Sequence, residues 1–112
     1  MAETISMNSM TVEELKEAME HPAPGERTIL IDVRSPEEFA AGHVPGAVNR
    51  PVDKMAIYED ALRAYDRVFV NCFSGGRSGA VCARLEEIGL RDVRNVEGGM
   101  MLWKRAGFPV ER

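Results

Sequence analysis

Val68-Phe69-Val70-Asn71-Cys72-Phe73-Ser74-Gly75-Gly76-Arg77-Ser78 is the stretch on which the reading of this chain turns. Its apolar, β-branched and aromatic start predicts a buried strand. The segment beyond it, Ala80-Val81-Cys82-Ala83-Arg84-Leu85-Glu86-Glu87-Ile88, reads as a helix closed by Gly89. Between strand and helix lies an expected six-residue loop, Cys72 to Arg77, with two consecutive glycines. Gly75 and Gly76 let the backbone curl until successive N–H groups face one point. The helix N-terminus adds about half a positive charge there. Such a cradle favours a thiolate, or an anion bonded to that sulfur, and predicts a lowered pKa for Cys72.

Working upstream, Thr28-Ile29-Leu30-Ile31-Asp32-Val33 predicts a second buried strand, and Ile5-Ser6-Met7 a short first one. Thr11 to Glu14 and Ser35 to Glu38 each have the form of a capping box, the second with Pro36 at the first helical position. Val12, Leu15, Ala18 and Met19 supply the apolar face of the first helix, which stops at His21-Pro22-Ala23-Pro24-Gly25. The second helix is short and ends at Gly42. A helix within Pro51–Arg67 is expected to place Ile57, Ala61, Leu62 and Tyr65 on one face. Downstream, the helix after the glycine loop carries Ser78, Val81, Cys82, Leu85 and Ile88 on one stripe, which puts Cys82 on the core face and favours a buried structural thiol over the alternative of a second redox cysteine. Val93–Val96 reads as the last strand, and Met100–Pro109 as a helix followed by a stop, with Trp103 in the core.

Strands alternating with helices imply parallel strands joined by right-handed crossovers, with helices on both faces. Ligands of such sheets bind at the carboxyl ends of the strands. The segments after Val33, Val70 and Val96 should therefore converge on one rim. Asp32, Arg34, Glu38 and His43 have the chemistry of acid–base partners of the thiol; the alternative is that they cap, pair and brace the loops beside the strand ends. Cys72 itself is expected at the bottom of an accessible pocket.

Composition limits the function classes. The 112 residues suit one domain with its own core. With 14 basic against 18 acidic residues, the net charge of −4 argues against a nucleic-acid surface. No apolar run approaches a bilayer span, and Met1-Ala2-Glu3-Thr4 lacks a signal core, so a cytoplasmic location is expected. Two cysteines and two histidines, His21 and His43, form no short-spaced ligand pair, so neither a metal site nor a disulfide framework is expected.

Cys72-Phe73-Ser74-Gly75-Gly76-Arg77-Ser78 resembles the active-site loop of the rhodanese-type sulfurtransferases, with four residues between Cys and Arg. Further segments are similar to the same family in the same order: Asp32-Val33-Arg34 with its acidic helix, Gly42-His43-Val44-Pro45-Gly46-Ala47, and the ending Gly98-Gly99, Trp103, Gly107-Phe108-Pro109. The likeness runs from about Ile5 to Pro109. It implies a single rhodanese domain over residues 1–112, α/β, with a mostly parallel sheet of about five strands covered on both faces. It also implies Cys72 as the catalytic residue, carrying a persulfide, and Phe73, Ser74, Gly75, Gly76, Arg77 and Ser78 as the substrate-binding loop. Substrates would be a small sulfur-containing anion such as thiosulfate as donor and cyanide, a thiol or a sulfur-accepting protein as acceptor, with no cofactor, nucleic acid or membrane. The alternatives are a sulfur carrier or binding module for a protein partner, and a cysteine-dependent phosphatase or arsenate reductase. Related loops of that last kind hold five residues between Cys and Arg, a wider cradle for a tetrahedral oxyanion. Phe73 makes the mouth partly apolar, and Arg77 either faces the substrate or pairs outward, with Glu97 as the candidate partner.

Overall fold

The computed structural model describes residues 8–112. The strand expected at residues 5–7 lies outside the described residues. Strands β1 (Ser9–Met10), β2 (Thr28–Asp32), β3 (Val48–Asn49), β4 (Arg67–Asn71) and β5 (Val93–Val96) form one sheet in the order β1-β5-β4-β2-β3. Every pairing is parallel. The helices are α1 (Val12–Glu20), α2 (Pro36–Ala41), α3 (Met55–Tyr58), α4 (Gly76–Glu87) and α5 (Gly99–Arg105). Among the described residues no helix is long and apolar enough to cross a membrane.

The strand pleat divides the apolar residues between two cores. Ile31, Val68, Val70 and Cys72 turn to one face, where they pack with Tyr58, Leu62, Val81, Cys82 and Leu85. Leu30 and Phe69 turn to the other, against Val12 and Leu15 of α1 and Met100 and Trp103 of α5. Central β4 is thus buried on both sides, as its unbroken apolar run requires. Truncating a fully buried side chain such as Leu85 to alanine costs about 2–5 kcal/mol.

Both capping boxes are present: Thr11 and Ser35 accept from the amides of Glu14 and Glu38, whose carboxylates reach back to the cap amides. The segment after β3 departs from the expected single helix. It breaks into a 3-10 turn (Val52–Lys54), the one-turn α3 and a second 3-10 turn (Asp60–Ala64). The change of winding shifts which residues face inward. Tyr58 and Leu62 are buried, while Ile57 stands 80 % exposed.

Candidate active site

Residue pairing across β2, β4 and β5 brings Asp32, Asn71 and the end of β5 to one edge of the sheet. The three segments after Val33, Val70 and Val96 do share that rim. The loop between β4 and α4 is shorter than the sequence suggests, because α4 begins at Gly76. Gly76, Arg77 and Ser78 are therefore the first helical turn, and only Cys72–Gly75 forms the connection. Gly75 makes the turn possible with a φ of 111°.

This tightness sets the chemistry at Cys72. The Gly75 amide donates to Sγ at 3.0 Å, and Ser78 Oγ lies 3.2 Å from it. Burial pushes the thiol pKa up, but the Ser78 hydroxyl and the amides of Ser78, Gly75 and Ser74 outweigh it and leave a net lowering. Cys72 is 1 % exposed, so its side chain is more enclosed than the accessible position expected from the sequence. The four-residue connection draws its own amides against the sulfur.

The other loop residues divide by position. Phe73 is 48 % exposed, and its carbonyl accepts from the amide of Met101, which is also exposed. Ser74 and Gly76 are exposed, whereas Ser78 is buried and faces the sulfur. Arg77 is tied to Glu38 by two hydrogen bonds of 2.8 and 3.0 Å. Glu97, the partner considered from the sequence, instead accepts from Ser9 Oγ. The Arg77 guanidinium holds the Glu38 pKa down to about 2.

The remaining polar residues of the rim brace it. Arg34 clasps Asp32 through Nε and Nη2 at 2.8–3.2 Å and also donates to Gly42 O. Both side chains are buried, so this pair locks the end of β2 to the end of α2. His43 is stacked on Phe39 at 3.7 Å, with Nδ1 2.9 Å from Phe39 O. It too acts as a brace. Among the described residues no group of three or more His, Cys, Asp or Glu side chains is placed to hold a metal ion.

Two parts of the site escape sequence reasoning. Gly98 and Gly99 start α5 so that the amides of Met100 and Met101 donate to Cys72 O and Phe73 O, each at 2.9 Å. A Cβ on Gly99 would meet Cys72 O at 2.3 Å, so only glycine allows this approach. In the sequence Gly98 and Gly99 stand out only as part of the family-like ending, with nothing to show that they meet the Cys72 loop. Asn95 of β5 donates through Nδ2 to Gly75 O at 3.3 Å and accepts the Ser78 hydroxyl on Oδ1. Nothing in the spacing of β5 distinguishes Asn95 from a polar residue on a half-buried strand.

The family profile described as "Rhodanese-like domain" matches residues 11–106. The chain belongs to the rhodanese-like family. A sulfurtransferase of Allochromatium vinosum is 35% identical over 79% of this chain and 82% of its own. A thiosulfate sulfurtransferase of Pseudomonas putida is 38% identical, covering 77% of each. The crystal structure of a rhodanese-related protein from Thermoplasma volcanium superimposes with a TM-score of 0.79 at 30% identity, over 93% of this chain and 97% of that one. At the level of the family, the rhodanese domain described here stands among sulfurtransferases.

Proposed function

We infer that the protein transfers a sulfane sulfur through a persulfide on Cys72. The observation that carries this reading is the Cys72 sulfur held at the start of α4, with an amide at 3.0 Å and a lowered pKa. In the first step Sγ⁻ attacks the outer sulfur of thiosulfate; the Sγ–S bond forms, the S–S bond of the donor breaks, and sulfite leaves with the electron pair. In the second, cyanide or a thiolate attacks the outer sulfur of the persulfide, and Cys72 departs as thiolate. No proton is transferred at the reacting sulfurs, so the site needs anion-stabilising donors and no general base. The braced positions of His43 and the Asp32–Arg34 pair agree with that requirement.

The exposed apolar side chains of Phe73 and Met101 suit a thiol or a sulfur-accepting protein as acceptor. Arg77 would meet an anionic donor after exchanging its partner Glu38. Phosphoryl or arsenate chemistry is less well served, because the connection is tight and that arginine is engaged outside it. The absence of a membrane-spanning helix among the described residues is in keeping with action in the cytoplasm. Intact-mass measurement tests the reading: thiosulfate should add one sulfur atom to the protein, and cyanide should remove it as thiocyanate. A protein whose mass thiosulfate, polysulfide and persulfidated thiols all leave unchanged would overturn it.

A further inference from the structure

The Ser78 hydroxyl lies between two acceptors and has one proton to give. Asn95 Oδ1 can only accept, and the amide orientation of Asn95 is fixed because Nδ2 donates to the Gly75 carbonyl. In the structure, then, the Ser78 proton is committed to Asn95. Ser78 Oγ can therefore only accept from Cys72, which is the arrangement of a neutral S–H. Once Cys72 ionises, the sulfur has no proton to offer and becomes the stronger acceptor.

We propose that Asn95 is a positioning residue for the nucleophile, competing with Cys72 Sγ for the single proton of the Ser78 hydroxyl. The hydroxyl serves Asn95 Oδ1 while the sulfur is a thiol, and rotates to Sγ when the sulfur becomes a thiolate. On the sulfur-transfer reading it returns to Asn95 in the persulfide, where the charge sits on the outer sulfur and Sγ is neutral. It swings to Sγ again as the outer sulfur is taken by the acceptor. No atom enters or leaves in this motion; one O–H bond rotates between two acceptors. Asn95 thereby opposes premature ionisation of Cys72, and Ser78 favours the thiolate at the moment it departs.

The neighbouring ionisable groups leave this titration to Cys72. On α4 these are Arg77, held by Glu38, and Cys82, whose pKa burial pushes up to about 12. At the end of β2, Arg34 and Asp32 neutralise one another. Glu97, after β5, accepts from Ser9, and the first turn of α5 has no charged side chain.

The test is the pH profile of Cys72 alkylation in the full chain, with no sulfur donor present, so that it stands apart from the transfer reaction. Asn95→Ala should lower the titration midpoint and raise the rate below it about threefold, the order of one neutral hydrogen bond. Ser78→Ala should shift the midpoint upward. Adding Asn95→Ala to Ser78→Ala should then change nothing further, because the shared hydroxyl is gone. An upward shift in Asn95→Ala, or an equal shift in both backgrounds, would show that Asn95 acts only by shaping the Gly75 loop, and would overturn the proposal. The wild type supplies a check that needs no Asn95 variant to fold. Its Asn95 side-chain amide NMR signals should move with the Cys72 midpoint, and should do so far less in Ser78→Ala. Signals that stay flat through the wild-type titration would also overturn it.

Discussion

Cys72 and Cys82 are ten positions apart, both free, and both almost wholly buried at 1 % and 0 % exposure. Their acidities diverge all the same. Burial raises Cys82 to about 12, with the charges of Glu86 and Cys72 adding to it. Cys72 is lowered, because the Ser78 hydroxyl and the loop amides overcome its own burial penalty. Accessibility does not separate the two sulfurs; the supply of hydrogen-bond donors does.

The contrast is broken most completely by removing its reactive member. Cys72→Ser should reduce sulfur transfer by on the order of 10³-fold or more while the thermal melt stays close to that of the wild type. Turnover assays on the pure variant check this, and substantial residual activity would take Cys72 out of the mechanism. Next in size is the labelling contrast. A small alkylating reagent at mildly acidic pH should modify Cys72 in the folded protein well before Cys82, whose thiol burial keeps neutral. Peptide mapping reads the outcome, and equal labelling of both thiols in the native state would erase the distinction. Ser78→Ala removes one donor to the thiolate and should slow transfer near neutral pH about tenfold, with the pH–rate profile displaced to higher pH.

Smaller effects sharpen the structural side. Cys82→Ser places a hydroxyl among Val81, Leu85 and their neighbours and should cost about 1–3 kcal/mol in a denaturant melt while leaving transfer intact. Glu38→Gln should have the least effect, below about 1 kcal/mol, since both partners of its ion pair are more than a third exposed. The sign follows from the depressed Glu38 pKa. The wild-type contribution is present above about pH 4.5 and fades as pH falls toward 2, so the two proteins should converge in stability across that acid range.

Much of this contrast was legible in the chain. The stripe of Val81, Cys82 and Leu85 put Cys82 inside, and the strand–glycine–helix order put Cys72 at an anion-stabilising turn. Periodicity failed after Pro51, where Ile57 points outward because the chain changes winding twice within a dozen residues. Loop length was overestimated because glycine composition marks a turn without saying where helical geometry resumes; Arg77 and Ser78 turned out helical. Asn95 and the Arg77–Glu38 pair were out of reach for a different reason. Both join segments far apart in sequence, and hydrogen-bond partners of that kind leave no periodic trace.

The outer strand β3 has a consequence for behaviour at high concentration. A parallel sheet with a long bare margin would be a template on which a second copy could add its own strand. Here the margin beside β2 is occupied by only two paired residues, Val48 and Asn49. The chain then runs into Arg50 and Pro51, a charge that repels its own copy and a ring with no N–H to offer. The strands richest in apolar residues, β2 and β4, lie inside the sheet, each flanked on both sides. At this margin, resistance to edge-to-edge pairing is thus built into the same arrangement that presents Cys72 at the sheet's carboxyl rim.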